Sequence, residues 1–422
     1  MKKILIVEDD QLIANIYRNK FLVEGFQAEV AYDGQSGLEL IRAFRPDAVV
    51  LDLVLPKIAG LDLLKTVRSE TGFQKLPIIV FSNTYLSNMI QQAWKAGATR
   101  CLSKANCTAK QLIDLVRGIL FPTTGTGSAA PPASAPSTAP AASDPDAEFQ
   151  ADLRRTFLSG LPATLAGLRS GLQALVKSDN EVSRARQVSE LYRRTRSLTG
   201  SAGIAGMARI AQVSDALEAL LKDLLENPEN INASTLRTVA SALDSIGSLS
   251  AQSKPLAQTE LSPPRILVVD DEVISRRAII YALEKAKLES VEVAGPAAAL
   301  DLISQEHFDL IFLDVDMPGM DGFELCTRLR TLPAYKQTPV VFVTNLNDLE
   351  TRVNSTVSGG NDFIAKPFLF MELAVKALVY VLRARLPAGS PSIGGPHSLL
   401  EPKTKFRMVK PQKRGDGQEE GA

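Results

Sequence analysis

The sequence predicts a chain that is α/β at both ends and all-α in the middle: two doubly wound parallel sheets separated by a small helical bundle. Residues 1–121 and 265–386 are copies in which matching positions, such as Asp52 and Asp314, are separated by a constant offset of 262. In both copies short apolar runs alternate with helical patterns, as in βαβ units. Residues 147–252 between them show helical periodicity alone. A length of 422 residues accommodates three such domains.

Composition narrows the classes of function. The 47 Lys and Arg residues are balanced by 47 Asp and Glu residues, so the formal net charge is zero. This balance makes nucleic acid and anionic membranes unlikely general partners. The longest apolar runs fall short of the roughly 20 residues of a membrane span, and the first residues lack the apolar core of a signal peptide. We therefore expect a cytoplasmic protein without membrane contact.

Segments of biased composition separate the domains. Residues 122–146 are rich in Ala, Pro, Ser and Thr, and residues 253–264 end in Ser-Pro-Pro. Both are predicted to be linkers, because they offer few large apolar side chains for a core. Residues 387–422 combine Gly, Pro and charged residues without periodicity and are predicted to form a disordered tail.

Six strands are predicted from short, continuous apolar runs. They are Ile4–Val7, Ala48–Leu51 and Ile78–Phe81 in the first copy, and Ile266–Val269, Leu310–Leu313 and Val340–Val343 in the second. Runs without polar alternation suit strands that are buried on both faces of a parallel sheet. The segments between them, such as Gln11–Glu24 and Gly60–Arg68, have helical spacing and are predicted to cover the sheets.

The middle domain contains four predicted amphipathic helices. They are Phe149–Lys177, Glu181–Ala202, Ala208–Leu225 and Ala233–Leu249. The Asn227-Pro228 step separates the third helix from the fourth. Because this domain has no strand candidate, we predict a helical bundle.

Polar residues recur after the predicted strands of both copies. They are Glu8, Asp9, Asp52, Ser82 and Lys104 in the first copy, and Asp270, Asp271, Asp314, Thr344 and Lys366 in the second. The carboxyl ends of parallel strands converge at one edge, where ligands bind. Three carboxylates gathered there repel one another unless a cation is present, and oxygen ligands suit Mg²⁺. One Asp could then act as a nucleophile toward a phosphoryl group that the lysine and hydroxyl help to bind.

Both copies resemble the receiver domain of bacterial two-component response regulators. The resemblance is carried by KILIVEDD, VVLDLVLP, VFSN and LSKA in the first copy, and by RILVVDDE, IFLDVDMPGMDG, VTN and IAKPF in the second. It implies flavodoxin-like (βα)5 domains in which Asp314, with Asp52 as a second candidate, accepts a phosphoryl group from a phosphohistidine. The chain would be a signalling phosphoacceptor, and its only catalysis would be its own phosphorylation and dephosphorylation.

The resemblance also implies roles for the remaining residues around each acceptor. Ser82 and Thr344 would bind a phosphoryl oxygen, and Lys104 and Lys366 would pair with it. The Mg²⁺ ligands besides the acceptors would be Asp9 and Asp271 directly, Glu8 and Asp270 through water, and the backbone carbonyls of Val54 and Asp316.

The two copies differ at the switch positions of the family. In the second copy Phe363 stands at the aromatic switch position and Pro367 follows the lysine. In the first copy these places hold Cys101 and Ala105. The first copy therefore lacks two residues with which the family couples phosphorylation to movement.

The middle domain resembles a histidine phosphotransfer (HPt) domain around the segment Arg196-Ser-Leu-Thr-Gly-Ser-Ala. Arg196 stands in the place of the phosphorylated histidine and Thr199 in that of the lysine, while Gly200 is retained. Neither of the two histidines of the chain lies in this domain. Arginine stays protonated and cannot carry a phosphoryl group. We therefore predict a degenerate HPt-like domain that does not relay phosphate. Its arginines Arg193, Arg194, Arg196 and Arg209 could contact the acidic face of a receiver or an external partner, or could form a solvated helix face.

Together these features predict a response regulator of a phosphorelay that signals through protein contacts. The expected partners are a sensor histidine kinase or a separate phosphotransfer protein, and a downstream protein; a homodimer through a receiver is compatible with this interpretation. Two alternatives stay open. One is a transcription regulator that binds DNA through the arginine-rich bundle or the tail, and the other is a phosphate sink without output. A steep salt dependence of DNA affinity would favour the first.

Overall fold

The computed structural model describes residues 1–83, 87–121, 145–178, 180–251, 263–345 and 357–385. It confirms the predicted fold class: two five-stranded parallel sheets flanked by helices, with a helical region between them. The predicted tail, residues 387–422, and nearly all of the predicted linkers 122–146 and 253–264 lie outside the described residues. None of the described helices is both long and apolar enough to span a bilayer.

The first domain alternates strands and helices throughout. Its elements are β1 (Lys3–Val7), α1 (Gln11–Val23), β2 (Gln27–Ala31), α2 (Gly34–Phe44), β3 (Ala48–Leu51), α3 (Gly60–Ser69), β4 (Ile78–Ser82), α4 (Ser87–Lys95), β5 (Arg100–Ser103) and α5 (Ala109–Leu120). The strand order is β2-β1-β3-β4-β5. Val7 is in register with Ala31 and Leu51, so the carboxyl ends of these strands form one edge.

The described residues of the middle domain form four helices, as predicted. They are α6 (Pro145–Val176), α7 (Glu181–Ile204), α8 (Ala208–Glu226) and α9 (Ala233–Ala251). A short 3-10 turn, Pro228–Asn230, lies at the predicted break between α8 and α9. Helix α7 begins after Asn180, whose side chain accepts a hydrogen bond of 2.8 Å from the backbone N–H of Ser183. This N-cap satisfies a backbone donor that the first turn would otherwise leave unpaired.

The second domain repeats the arrangement of the first. Its described elements are β6 (Ile266–Val269), α10 (Val273–Lys285), β7 (Ser290–Val293), α11 (Pro296–Gln305), β8 (Leu310–Asp314), α12 (Gly322–Thr331), β9 (Val340–Thr344), β10 (Asp362–Ala365) and α13 (Phe370–Ala384). The strand order is β10-β9-β8-β6-β7. Residues 346–356, between β9 and β10, are not among the described residues.

The bundle and the second domain share one apolar core. Leu217 and Val239 of the bundle belong to the same buried cluster as Leu378 and Val381 of α13. Helix α13 thus packs against the sheet on one side and against the bundle on the other. Burial of this apolar surface, at about 25 cal/mol per Å², stabilises the two domains as one packed unit.

Polar groups are also paired across this boundary. The Glu372 carboxylate of α13 is buried and accepts hydrogen bonds from Ser234 Oγ at 2.5 Å and from Thr238 Oγ1 at 3.2 Å, both in α9. A buried carboxylate is costly unless such donors compensate its lost hydration. The interface therefore fixes α9 relative to α13 through specific polar contacts.

Candidate phosphoryl-acceptor sites

A close approach of backbone segments positions the acidic residue at the end of the central strand in both sheets. A Cβ on Gly60 would lie 2.0 Å from the carbonyl oxygen of Asp52, and a Cβ on Gly322 would lie 2.1 Å from that of Asp314. Only glycine allows α3 and α12 to begin this close to the strand. Steric contact with the strand therefore explains why a glycine stands at the equivalent position after Asp52 and after Asp314.

The structure brings the five predicted polar side chains of the first domain together at the carboxyl edge of the sheet. Carboxylate oxygens of Glu8, Asp9 and Asp52 lie within 4.8 Å of one another. Ser82 Oγ donates to Asp52 Oδ1 at 2.7 Å. Lys104 Nζ donates to Asp52 Oδ2 at 2.6 Å and also to Glu8. Asp52 is 1% exposed, so this network is buried.

Arg196 of α7 lies in the same cluster. Its Nη2 donates to Asp9 Oδ1 at 3.0 Å, to Asp52 Oδ2 at 2.6 Å and to the carbonyl oxygen of Val54. The sequence indicated Arg196 as the degenerate HPt position and left contact with the acidic face of a receiver open as one interpretation of the arginines in this domain. The structure shows this contact for Arg196, with the first receiver. The three groups that accept these hydrogen bonds are the same ones that the receiver resemblance implies as direct Mg²⁺ ligands in this domain.

Further polar contacts hold α7 against the first domain. Ser197 Oγ donates to Asp10 Oδ2 at 2.6 Å. The side-chain amide of Asn83, directly after β4, donates to the Arg196 carbonyl oxygen and to Glu218 Oε2, both at 3.1 Å. The sequence analysis singled out none of these contacts, although Asn83 follows a strand that carries a predicted site residue. Helix α7 thus covers the carboxyl edge of the first sheet.

Lys104 and Arg196 determine which carboxylates of the first acidic cluster are ionised. Burial by itself would raise the pKa of Asp52, but the Lys104 ammonium and the Arg196 guanidinium outweigh burial and hold the pKa below its usual range. Burial raises the pKa of Glu8 to about 7, although Lys104 acts in the opposite direction. Asp52 is therefore ionised and neutralised by two cations.

The second domain has a matching acidic cluster, in which one cation is paired with Asp314 among the described residues. Carboxylate oxygens of Asp270, Asp271 and Asp314 lie within 4.8 Å of one another, and Asp271 is exposed. Lys366 Nζ lies 3.0 Å from Asp270 Oδ2 and 3.1 Å from Asp314 Oδ2. Burial and the neighbouring Asp270 raise the pKa of Asp314 to about 6. The pKa of Asp314 is thus raised, whereas that of Asp52 is lowered.

The other predicted residues of the second domain lie around this cluster. Thr344 is buried at the end of β9, and its carbonyl accepts a 2.7 Å hydrogen bond from the N–H of Lys366. Asp316 is exposed in the loop after β8. The Lys366-Pro367 peptide bond is cis. Phe363, on β10, is partly buried, and the Arg237 guanidinium of α9 lies 5.1 Å from the centroid of its ring. The bundle therefore contacts the predicted aromatic switch.

Two buried carboxyl groups on α8 form an acidic pair that the sequence analysis did not single out as a site. Burial and the neighbouring Asp215 raise the pKa of Glu218 to about 8, and burial raises the pKa of Asp215 to about 7. At a pH between the ordinary carboxyl pKa and these raised values, the two carboxyl groups are protonated in the folded state, whereas in the unfolded chain they have released their protons. The contribution of this pair to the free energy of unfolding should be largest below the ordinary carboxyl pKa and should be lost as the pH rises to about 8.

We expect Glu218→Gln to reduce this pH dependence, because the amide needs no proton to remain neutral. Between pH 6 and pH 9 the melting temperature of the wild type should fall by about 5 °C more than that of the variant, for a contribution of about 2 kcal/mol. Thermal melts followed by circular dichroism measure the difference. Glu226→Gln, a change in an exposed side chain of the same helix, should keep the wild-type profile. Identical profiles for all three proteins would show that Glu218 does not take up a proton on folding.

Comparison with known proteins identifies the family. The family model described as the response regulator receiver domain matches residues 4–117 and 266–377, more than half of the chain. The chain therefore belongs to the response regulator receiver family, and it is a two-component response regulator with two receiver domains. The resemblance of the middle domain to a phosphotransfer domain remains a prediction.

Individual relatives match one domain-sized stretch each. The probable transcriptional regulator ycf27 of Cyanophora paradoxa is 34% identical over 128 residues, which cover 30% of this chain and 52% of that protein. The transcriptional regulatory protein SrrA of Staphylococcus aureus is 38% identical over 116 residues, or 27% and 47% of the two chains. The chain thus spans about half the length of these curated relatives. The solved structure of the chemotaxis protein CheY4 of Vibrio cholerae is 31% identical, with a TM-score of 0.27, and covers 28% of this chain and 99% of its own.

Proposed function

We propose that the second receiver is the phosphorylated input of this regulator and that Asp314 accepts a phosphoryl group from a phosphohistidine in the presence of Mg²⁺. The observation that supports this most directly is the arrangement of Asp314 beside Asp270, Asp271 and Lys366 at the carboxyl edge of the sheet. A sensor histidine kinase or a separate phosphotransfer protein would be the donor.

The donor atoms of this cluster suit Mg²⁺. They are carboxylate oxygens close enough to share one ion, and Mg²⁺ prefers such hard ligands. The receiver resemblance implies the backbone carbonyl of Asp316 as a further ligand. Asp271 and Asp314 would bind the ion directly, and Asp270 through water. Bound Mg²⁺ would neutralise charge on the oxygens of the transferring phosphoryl group.

The transfer itself needs positioning more than acid–base chemistry. A carboxylate oxygen of Asp314 attacks phosphorus, the P–N bond to the histidine breaks, and its electron pair stays on the imidazole. The product is an acyl phosphate, and the released imidazole takes its proton from water. Lys366 and the hydroxyl of Thr344 would bind the phosphoryl oxygens, and Lys366 already lies 3.1 Å from Asp314.

The contacts of the bundle favour protein-mediated output over the two alternatives. Arg193 and Arg194 pair with Glu190, and the side chain of Arg196 pairs with Asp52 of the first receiver, so these arginines are engaged within the chain. This pairing counts against DNA binding through this face of the bundle. The contact of Arg237 with Phe363 would let a movement at the switch reach the bundle, whereas a phosphate sink needs no such connection.

We expect wild-type protein incubated with Mg²⁺ and acetyl phosphate to gain one phosphoryl group, which Asp314→Asn abolishes. Intact mass spectrometry measures the addition. Asp52→Asn is the matched control, because it makes the same change at the equivalent position of the first receiver, and it should leave the addition in place. Uptake that survives Asp314→Asn, or no uptake by folded wild-type protein, would contradict the proposal.

A further inference from the structure

We propose that Arg196 is a built-in cation of the first receiver: its guanidinium takes the place of the divalent ion among Asp9, Asp52 and the Val54 carbonyl. The bundle is then the resident partner of this receiver, bound where a metal ion and a phosphate donor would otherwise bind. This inference rests on the proposed function insofar as the receivers are taken to be Mg²⁺ sites.

The geometry makes occupation by Arg196 and by a metal ion mutually exclusive. A single nitrogen, Nη2, donates to Asp9, to Asp52 and to the Val54 carbonyl. A Mg²⁺ ion bound to the same oxygens at about 2.1 Å would overlap this nitrogen. The Arg196 side chain is 13% exposed, so it is enclosed at the site and does not merely lie at the surface.

The charges of the cluster support the same conclusion. Arginine keeps its charge at any ordinary pH, so it can compensate buried carboxylates permanently. The first cluster contains three acidic residues with two cations, Lys104 and Arg196. In the second cluster Lys366 is the one cation that the described residues pair with Asp314. The second receiver therefore shows, within the same chain, the charge balance that the first receiver would have without Arg196.

Close contacts at two glycines show that α7 packs tightly against the first receiver. A Cβ on Gly203 of α7 would lie 1.9 Å from the Lys104 carbonyl oxygen, and a Cβ on Gly200 would lie 2.3 Å from Ile13 Cδ1. Two glycines one turn apart thus bring the helix backbone onto the receiver at the point where Arg196 enters. With α7 in this position the Arg196 guanidinium contacts Asp52 and Ser197 contacts Asp10, so the bundle occupies the face from which a phosphohistidine would approach.

The test is the number of Mn²⁺ ions bound per full-length chain, counted from the electron paramagnetic resonance signal of free Mn²⁺. We expect Arg196→Ala to bind one ion more than the wild type. Arg193→Ala should match the wild type, because Arg193 lies on the same helix and pairs with Glu190 in solvent. Adding Asp9→Ala to Arg196→Ala should abolish the extra ion, which would assign it to the first receiver.

The outcomes separate this inference from the proposed function. A folded Arg196→Ala chain that binds the same number of ions as the wild type would overturn the inference, as would a wild type that already binds an ion sensitive to Asp9→Ala. A wild type that binds none would instead count against the second receiver as a Mg²⁺ site. If the alanine variant does not fold, Arg196→Gln, which keeps a hydrogen-bond donor without the charge, serves for the same comparison.

Phosphorylation supplies a second readout. With acetyl phosphate and Mg²⁺, Arg196→Ala should gain a second phosphoryl group: an Asp52 oxygen attacks phosphorus, the bond to the acetyl oxygen breaks and acetate leaves. Combining Asp52→Asn with Arg196→Ala should remove this second group and leave the one on Asp314. A second group that persists in the combined variant would place the modification elsewhere.

Discussion

Gly203→Val is expected to release the bundle from the first receiver and to add one bound Mn²⁺ per chain, although the change touches neither Arg196 nor an acidic residue. The new Cβ would lie 1.9 Å from the Lys104 carbonyl oxygen. Lys104 is buried, and its backbone cannot yield as the end of a flexible side chain would. Helix α7 must therefore move outward and withdraw Arg196. Mn²⁺ titration followed by electron paramagnetic resonance measures the gain.

A second glycine supplies the control for this prediction. A Cβ on Gly160 of α6 would have no heavy atom within 4 Å outside the adjacent backbone of its own helix. Gly160→Val adds the same side chain where its Cβ meets open space, and it should bind as many ions as the wild type. A folded Gly203→Val chain with unchanged Mn²⁺ binding would show that α7 does not hold Arg196 in the first receiver in solution.

Lys104→Met is expected to lower the free energy of unfolding of the first receiver by about 3–5 kcal/mol, the range for removing one partner of a buried ion pair. The Lys104 side chain is 2% exposed and pairs with both Asp52 and Glu8. Methionine fills a similar volume but leaves these buried carboxylates with Arg196 alone as a compensating cation. Guanidinium chloride unfolding followed by fluorescence reports this domain directly, because Trp94 of α4 is the only tryptophan of the chain.

The equivalent lysine of the second receiver is the matched control. Lys366 also pairs with two carboxylates, but its side chain is 10% exposed and the neighbouring Asp271 is open to solvent. Lys366→Met should leave the Trp94 transition nearly unchanged, because the altered residue lies in the other receiver. Equal displacement of the Trp94 transition by both variants would mean that Lys104 contributes no specific stabilisation to its own domain.

The predicted strands illustrate what a pattern along the chain can show. Each of the six predicted strands matches an observed strand to within one residue, because strands covered on both faces are continuously apolar. The outer strands β2 and β5 were not singled out. Gln27 and Glu29 of β2 are exposed, and β5 is only partly buried, so neither forms a continuous apolar run.

The sequence by itself determined the fold class of each domain and the composition of each acidic cluster. In a parallel sheet, residues that follow successive strands must meet at one edge, so their positions along the chain are sufficient to bring them together. Glu8, Asp9, Asp52, Ser82 and Lys104 meet as this rule requires.

Only the tertiary structure decided that the two receivers differ in their cations. Arg196 lies 144 positions from Asp52, on a different domain, and its pairing depends on how the surface of α7 fits the first receiver. The contact between Arg237 and Phe363 likewise depends on the packing of the bundle against the second receiver. The local sequence specifies which charge a side chain carries. The partner that neutralises this charge is selected by the packing of whole domains, which no local pattern encodes.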